Sequence, residues 1–457
     1  MAKPLNPASL NQAWLERSQA AVWHPCTQMQ HHAQTGSPAH LPLVPIARGQ
    51  GAWLYDFDGN RYLDGISSWW TNLFGHANPR INAALKEQLD TLEHVMLAGF
   101  THQPVVELSE RLSALTGGAL GHAFYASDGA SATEIALKMS FHYWRNVGRP
   151  EKAEFLCLEG SYHGETVGAL AVTDVAIFKD AYAPLVRAAS TVPSPDFRLG
   201  EAGETPADVA RRAAAGLEAH LERHGDKIAA LIVEPLVQGA SGMAMYDPEY
   251  LCLARQLCDR YEVHLICDEI AMGCGRTGSF FAHEQALING SPIRPDLMCL
   301  SKGISGGYLP LSIVLSSETI YQAFLDDAVS RAFLHSHSYT GNALACRAAL
   351  ATLDIFAEDD TLTVNRQKSA KISVALAPLA DHPQVKHLRQ RGMIAAFDVE
   401  TDDPFFSRKF YRAALDQEAM IRPIGNTVYL MPPYIVSDSE IDHLARAIQG
   451  ALQTALA

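Results

Sequence analysis

The stretch VHLICDEI at residues 263–270 decides the fold of this chain. It is a short apolar run that ends in two carboxylates, Asp268 and Glu269. A run of this kind is typical of a strand that is buried on both faces of a sheet. We therefore expect Asp268 at the carboxyl end of the strand, where open α/β sheets bind their ligands. A buried carboxylate needs a cationic or donor partner, and an acid that only caps a neighbouring loop is the alternative interpretation.

Short apolar runs of the same kind recur along the chain and are bounded by turn residues or helical patterns. They are Ala123–Ala126, Glu154–Leu158, Ala229–Val233, Val263–Cys267, Leu297–Leu300 and Leu311–Leu315. Strands that alternate with helices form βαβ units, so these runs predict an α/β fold with a mostly parallel sheet.

The pattern changes after about residue 351, where helical segments alternate with isolated strand-like pieces such as Met393–Val399 and Thr427–Met431. We expect residues 65–350 to form a large cofactor-binding domain and residues 351–457 to form a smaller α+β domain. Residues 1–64, which include the hairpin-like stretch Ala52–Tyr62, are expected to pack with the small domain.

Composition excludes several classes of protein. The chain has 457 residues, of which 48% are hydrophobic and 19% charged, as in ordinary soluble globular proteins. Its net charge of −14 argues against nucleic acid or an anionic membrane as the main partner. Neither a signal peptide nor a long apolar span is recognisable, and the eight scattered cysteines form no C-x-x-C pair. We expect a cytoplasmic protein without a metal site, whose thiols mostly fill core space.

A lysine follows the next apolar run. The stretch DLMCLSKG at residues 296–303 places Lys302 at the end of a buried strand and directly before Gly303. Partial desolvation lowers the pKa of a lysine in such a position, as covalent bonding to a carbonyl requires. Pyridoxal 5′-phosphate needs such a lysine and a carboxylate that keeps its pyridine nitrogen protonated. Lys302 and Asp268 together indicate this cofactor.

Two glycine-containing turns could complete a cofactor site. In the stretch FYASDGASATE (124–134), Gly129 opens a helix, and Ser131 and Glu134 have the spacing of a capping box. The free N–H groups of a helix start bind phosphate, although an ordinary capped helix is the alternative. The stretch GSYHGE (160–165) presents Tyr162 or His163 as a ring that could stack on a planar cofactor, and a plain turn is the alternative there.

These residues together resemble the class III aminotransferases, which have the aspartate-aminotransferase-like fold (fold type I). The class is marked by Asp268-Glu269, by GRTG at residues 275–278 and by SKG at residues 301–303. The closer resemblance is to the adenosylmethionine–8-amino-7-oxononanoate aminotransferases of biotin biosynthesis. It covers nearly the whole chain, and its specific pieces are WHP (23–25), SSWW (67–70) and YLMPP (429–433).

The resemblance implies a role for each cofactor residue. Lys302 holds pyridoxal phosphate and moves a proton between the substrate Cα and the cofactor C4′, while Asp268 pairs with the pyridine nitrogen. The remaining cofactor contacts are ring stacking by Tyr162, backbone binding of the phosphate by Gly129 and Ala130, and a hydroxyl of Ser338 that reaches the phosphate of the other subunit. A homodimer with shared active sites follows.

The resemblance also implies the substrate contacts. Arg422 binds the substrate carboxylate in a bidentate manner, and Trp70 and Tyr429 line the substrate channel. Arg276 lies near the donor site, and Ser336 is also assigned to substrate binding. Trp70 and Tyr429 could instead be core aromatics and Arg422 a surface arginine.

The implied reaction is a ping-pong transamination of 8-amino-7-oxononanoate to 7,8-diaminononanoate, with S-adenosylmethionine as the amino donor. Lysine is an alternative donor within the same branch. Cys26 stands where the family often has tyrosine, so a ring and a hydroxyl near the substrate are missing. Ala130 replaces a frequent serine or threonine, which leaves phosphate binding to the backbone and the neighbouring Ser131. Alternatives are another class III ω-aminotransferase using diamine, lysine or β-alanine-type donors, a decarboxylase or racemase on the same fold, and a binding module without activity.

Overall fold

A computed structural model describes residues 9–457. Internal packing divides them into two units: residues 9–78 with 367–457, called the terminal unit, and residues 79–366, called the central unit. The terminal unit thus groups the N-terminal segment with the C-terminal residues, apart from residues 1–8, which lie outside the described part. The boundaries expected after residues 64 and 350 lie earlier than those of this division, and residue 350 falls inside the helix Ala343–Glu358.

The helical segments are α1 (Leu10–Ala21), α2 (Gln30–Ala33), α3 (Ser67–Trp70), α4 (Pro79–Leu89), α5 (Gln103–Leu115), α6 (Gly129–Asn146), α7 (Val167–Ala171), α8 (Ala176–Lys179), α9 (Pro206–His224), α10 (Glu249–Arg260), α11 (Glu318–Gln322), α12 (Ala343–Glu358), α13 (Thr361–Leu376), α14 (Phe406–Leu415) and α15 (Asp438–Leu456). Among residues 9–457, none of these helices is both long and apolar enough to cross a membrane.

The strands are β1 (Ile46–Gln50), β2 (Trp53–Asp56), β3 (Arg61–Asp64), β4 (His122–Ala126), β5 (Glu154–Leu158), β6 (Ser190–Val192), β7 (Ile228–Val233), β8 (Val237–Gln238), β9 (Ala244–Met245), β10 (His264–Asp268), β11 (Leu287–Ile288), β12 (Ser291–Pro292), β13 (Leu297–Leu300), β14 (Ser312–Ser316), β15 (Val385–Arg391), β16 (Ile394–Val399), β17 (Ala419–Met420) and β18 (Thr427–Leu430).

The central unit is built on a seven-stranded sheet with the order β4-β14-β13-β10-β7-β5-β6. The neighbours from β13 to β6 are parallel, and β14 runs antiparallel to both β13 and β4. Each predicted apolar run coincides with one of these strands to within one residue, which confirms the α/β fold class. Strand β6 was not predicted from the sequence.

The inner strands of this sheet are buried on both faces. Every residue of β7, β10, β13 and β14 is buried. Helix α6 packs on this sheet: its Ile135 and Ala136 belong to the same buried cluster as Ile232, Ile266 and Val314. Burial of this apolar surface from both sides is what stabilises a parallel sheet.

The terminal unit has two smaller sheets. Strands β1, β2 and β3 form an antiparallel meander, and β17 adds to β3 in parallel. Strands β15, β16 and β18 form the second, antiparallel sheet. The strand-like pieces predicted near residues 52–62, 393–399 and 427–431 all lie in these sheets.

A buried lysine joins several elements of the central unit. Lys152 is 1% exposed, and its Nζ donates to the carbonyls of Gly225 at 2.8 Å, Ile228 at 3.0 Å and Tyr261 at 3.3 Å. Gly225 and Tyr261 are the residues at which α9 and α10 end. The ammonium therefore lies at the negative ends of two helix dipoles, which favours its charge there. Burial lowers the pKa of Lys152 to about 8.

We predict that Lys152→Met destabilises the protein by about 3 kcal/mol or more, because three carbonyls, two of them in buried contacts, lose a charged donor. Urea unfolding followed by circular dichroism measures this loss. Lys227→Met, at a nearby exposed lysine, is the matched control and should leave the midpoint within the error of the wild type. Equal midpoints for all three proteins would contradict the role given to Lys152.

Candidate functional site

The carboxyl edge of the central sheet carries the two residues on which the cofactor prediction depends. Asp268 is the last residue of β10, and β10 pairs in parallel with β13 so that Asp268 lies opposite Cys299. Lys302 follows Cys299 by three residues and begins a short 3-10 helix. Strand pairing thus fixes both residues at the same edge of the sheet, as the sequence predicted.

Lys302 has an unusual backbone and electrostatic environment. Its φ is +46°, in the left-handed region that non-glycine residues rarely adopt and that is often found at functional sites. Burial lowers the pKa of Lys302, and the carboxylates of Asp268 and Glu234 partly oppose this effect. An amine with a lowered pKa is more often in the neutral form that can attack a carbonyl.

Asp268 is held by a histidine that sequence reasoning considered only as a stacking ring. Nδ1 of His163 lies 2.6 Å from Oδ2 of Asp268, and both side chains are buried. The other oxygen, Oδ1, accepts the backbone N–H of Ile270 at 3.0 Å. The carboxylate is therefore fixed in orientation. No pattern in the sequence links residues 163 and 268, because the contact depends on the order of the strands.

A second buried carboxyl, Glu234, holds the loop that carries the aromatic residue. Its Oε2 accepts the N–H of Tyr162 at 3.0 Å, and its Oε1 accepts the N–H of Gly239 at 2.8 Å. Burial raises the pKa of Glu234 to about 7, and Asp268 adds to the shift. Sequence reasoning assigned no role to Glu234; its position directly after the buried strand β7 was the available signal.

The start of α6 differs from the predicted capping box. The cap is Asp128, whose Oδ1 accepts the N–H of Ser131 at 3.0 Å and whose Oδ2 accepts the Ser131 hydroxyl at 2.9 Å. Glu134 instead accepts the N–H of Gly168 at 2.8 Å. The predicted Ser131–Glu134 box was therefore wrong, because aspartate three residues earlier is the better placed cap.

The same helix start leaves donors for an anion. Within residues 9–457, the N–H groups of Gly129 and Ala130 have no hydrogen-bond acceptor. These groups lie at the positive end of an 18-residue helix. A Cβ atom at residue 129 would lie 3.0 Å from Cγ2 of Ile270. Glycine at this position therefore allows the start of α6 to pack closely against Ile270.

The other predicted residues of the central unit lie in different settings. The Tyr162 hydroxyl donates to Oε1 of Glu165 at 2.8 Å, and its ring meets Phe178 edge to face. Ser336 and Ser338 are exposed in the loop before α12, and the carbonyl of Ser338 accepts from His94. Arg276 is fully buried.

In the terminal unit, Trp70 and Tyr429 form one buried pair. The indole N–H of Trp70 donates to the Tyr429 hydroxyl at 3.0 Å, and the two rings meet at 78°. Burial raises the pKa of Tyr429 to about 12. The hydroxyl is therefore neutral at any working pH and available as a donor.

The segment that carries Trp70 has a strained backbone. The φ values of Ser67, Ser68, Trp69 and Trp70 are +51°, +47°, +69° and +73°. Each left-handed residue other than glycine costs roughly 1–2 kcal/mol. Asp64 compensates in part, because its carboxylate accepts the N–H of Ser68 at 2.9 Å and the hydroxyl of the same residue at 2.7 Å. Such strain is characteristic of functional sites.

Arg422 lines a cavity of about 260 Å³ within the terminal unit. Its guanidinium lies 5.7 Å from the centre of the Trp69 ring. Across residues 9–457, no carboxylate lies within ion-pair distance of Arg422. The cavity walls are mostly apolar and comprise His24, Pro25, Thr27, His32, Leu41, Pro42, Leu43, Val44, Ile46, Leu54, Tyr62, Trp69, Tyr411, Leu415 and Met420. An arginine in apolar surroundings without a counter-ion suits a carboxylate on an aliphatic chain.

The central-unit residues fit pyridoxal phosphate. A desolvated lysine, a fixed carboxylate and two unsatisfied helix N–H groups match its aldehyde, pyridine nitrogen and phosphate. Nε2 of His163 is buried and has no hydrogen-bond partner within the described chain, as expected where a polar group awaits a ligand.

Comparison with known proteins identifies the class. Residues 35–452 match the family model of class-III aminotransferases. The chain belongs to this family, and it is therefore an aminotransferase.

Individual relatives narrow the class. The chain is 45% identical over 443 residues to the adenosylmethionine-8-amino-7-oxononanoate aminotransferase of Helicobacter pylori, covering 94% of this chain and 95% of that one. The enzyme of the same name from Geobacter sulfurreducens is 38% identical, covering 95% and 96%. The crystal structure of the corresponding Methanocaldococcus jannaschii enzyme matches with a TM-score of 0.89 at 31% identity, covering 97% and 99%.

We predict that Glu234→Gln changes the pH dependence of stability. A carboxyl whose folded pKa is raised stabilises the protein fully below its unfolded pKa of 4.5, and this contribution is lost as pH rises through about 7. The wild type should therefore lose about 3 kcal/mol relative to the variant between pH 4.5 and pH 8. Urea unfolding at a series of pH values measures this; parallel pH profiles for the two proteins would contradict it.

Proposed function

We propose that the protein transfers an amino group from S-adenosylmethionine to 8-amino-7-oxononanoate and forms 7,8-diaminononanoate, in cytoplasmic biotin biosynthesis. The observation that carries the proposal is that the chain is 45% identical, over 94% of its length, to an enzyme named for this reaction. Arg422 supports it, because among residues 9–457 no carboxylate lies at ion-pair distance from this arginine in its mostly apolar cavity. Bound pyridoxal phosphate supplies an aldehyde that carries the amino group and a ring that takes up electrons.

The chain's own residues supply positioning and proton transfer. We assign Lys302 to covalent attachment of the cofactor and to moving the proton of the substrate Cα, a role that suits its lowered pKa. Asp268, fixed by His163, would keep the pyridine nitrogen protonated. Gly129 and Ala130 would bind the phosphate, and the ring of Tyr162 would stack on the cofactor.

On the substrate side, Arg422 would bind the carboxylate end of the oxononanoate, and its cavity would hold the aliphatic chain. The Trp70–Tyr429 pair would line the channel, with the neutral Tyr429 hydroxyl as a donor. Arg276 and Ser336 are assigned to substrate binding by resemblance alone. Burial of Arg276 favours a supporting role for this residue.

A homodimer with shared sites is part of the proposal, because Ser338 would bind the phosphate of the other subunit. The exposure of Ser338 and of Tyr339, which is 66% exposed, supports this assignment. Such a surface can be covered by a second copy of the chain.

Another class III ω-aminotransferase is the second candidate. The ω-transaminase of Pseudomonas jessenii, solved in complex with PMP, has a TM-score of 0.89 at 26% identity, covering 98% of each chain. The fold therefore accommodates both reactions. Pro25 and Thr27, on either side of Cys26, line the cavity of Arg422, so the missing tyrosine ring would change the donor or acceptor fit there.

We predict that S-adenosylmethionine alone bleaches the yellow absorbance of the purified holoenzyme and that 8-amino-7-oxononanoate then restores it. Lysine, alanine and a diamine are tested in parallel. If only lysine bleaches the absorbance, the proposed reaction stands and the amino donor is lysine instead of S-adenosylmethionine. Bleaching by alanine or the diamine, without recovery on adding the oxononanoate, would contradict the proposal in favour of the ω-aminotransferase.

Lys302→Ala should abolish the covalent attachment of the cofactor that borohydride reduction traps in the wild type and reduce turnover by at least about 10³-fold, because covalent attachment and proton transfer are both lost. Lys227→Ala, an exposed lysine of the same unit, is the matched control. Mass spectrometry of the borohydride-treated proteins locates the cofactor; attachment at another lysine would rule out Lys302.

Arg422→Met should raise the KM for 8-amino-7-oxononanoate by about 100-fold, because a charge-assisted bidentate contact is lost. The methyl ester of the acceptor provides the control, since it lacks the carboxylate and its KM should change less. An unchanged acceptor KM would contradict the assignment of Arg422 to carboxylate binding.

A further inference from the structure

Two arginines of α14 hold part of the N-terminal segment in place. Arg408 and Arg412 lie one helical turn apart, so their side chains share a face of the helix. Arg408 donates to the carbonyl of Ala39. Arg412 donates to the carbonyls of His40 at 2.6 Å and Pro38 at 3.2 Å. Three consecutive carbonyls are thus bound by two guanidinium groups.

The residues that follow these carbonyls are a wall of the Arg422 cavity. Leu41, Pro42, Leu43 and Val44 all line it, as does Tyr411 of α14. Leu41 is also held by the bond from its N–H to the carbonyl of His31 and by Nδ1 of His32, which lies 2.7 Å from the Leu41 carbonyl. The arginine contacts join this wall to α14.

The same arginines add positive charge beside the cavity. The pKa of Arg408 is lowered by burial and further by the neighbouring charges of Arg422 and Arg412. Within the described residues, none of these three arginines has a carboxylate at ion-pair distance. Cations brought together without an acid repel one another, and an anion bound among them would relieve that repulsion.

We propose that Arg408 and Arg412 are positioning residues that select a carboxylated acceptor: they hold residues 38–44 as the cavity wall, and Arg408 strengthens the positive potential around Arg422. The inference rests on the proposed function, because it assigns the cavity to the carboxylate end of the acceptor. The two arginines act on the carboxylate end of the acceptor and leave the chemistry at Lys302 unchanged.

The test separates the two half-reactions of the holoenzyme. Arg408→Met, Arg408→Lys and the control Arg446→Met, at an exposed arginine of α15, are each measured with S-adenosylmethionine alone and then with the acceptor. We expect Arg408→Met to raise the acceptor KM about 10- to 100-fold with kcat within about twofold. Arg408→Lys should recover part of the loss because it keeps the charge, and the control should match the wild type.

An ester of the acceptor distinguishes charge selection from a general packing role. The methyl ester of 8-amino-7-oxononanoate lacks the carboxylate, so we expect Arg408→Met to change its KM by no more than about threefold. Equal losses with acid and ester would show a purely structural role and overturn the inference. So would an unchanged acceptor KM.

Failure of the proposed function is recognised separately. If the wild type does not react with 8-amino-7-oxononanoate, the proposed function fails, and the same variants are tested with a carboxylated ketone that the wild type accepts and with its methyl ester. Selective loss with the acid in that pair would still support the role of Arg408, and equal behaviour of acid and ester would overturn it.

Discussion

The parallel pairing of β10 with β13 is the constraint on which the site depends. It places Asp268 opposite Cys299, and the chain then needs only three more residues to reach Lys302. Apolar residues on both faces of these strands resist any change of register, because a shift by one residue would turn each side chain to the other face. The distance between the acid and the lysine is therefore set by the core of the sheet, and the loops adapt to it.

Charge balance around this edge follows from the same burial. One lysine faces two carboxyls, Asp268 and Glu234, and both carboxyl side chains are buried. His163 orients Asp268 through a 2.6 Å contact. Within the described residues Glu234 accepts from backbone N–H groups, and burial raises its pKa to about 7. The two carboxyls therefore have different settings: Asp268 is held by a histidine side chain, whereas Glu234, with its raised pKa, can hold a proton while it anchors the loop of Tyr162.

The sequence predicted those parts of the fold and site that depend on local pattern. Apolar runs predicted the strands of the central sheet, and strand ends followed by glycines predicted Asp268 and Lys302. The contacts of His163 and Glu234 were missed because they join residues that are distant in the chain. The capping box was wrong because the helix begins earlier, with Asp128 as the cap that accepts the N–H of Ser131. Two cap candidates three residues apart cannot be ranked from spacing alone. The left-handed residues 67–70 follow from no propensity, since serine and tryptophan both disfavour that conformation.

This strained turn and the group formed by Arg408, Arg412 and Arg422 share one property. Neither is the lowest-energy choice for its own segment: four left-handed residues cost backbone energy, and three arginines without acids repel one another. Trp69 belongs to the turn and contacts Arg422 in the same cavity. A folded core that overdetermines these segments, through Asp64 at the turn and the carbonyls of residues 38–40 at the arginines, can hold them ready for an anion. Binding of a carboxylated substrate would then reduce the electrostatic repulsion among the arginines that folding alone leaves in place. This reduction would contribute to the affinity for the carboxylate end of the substrate.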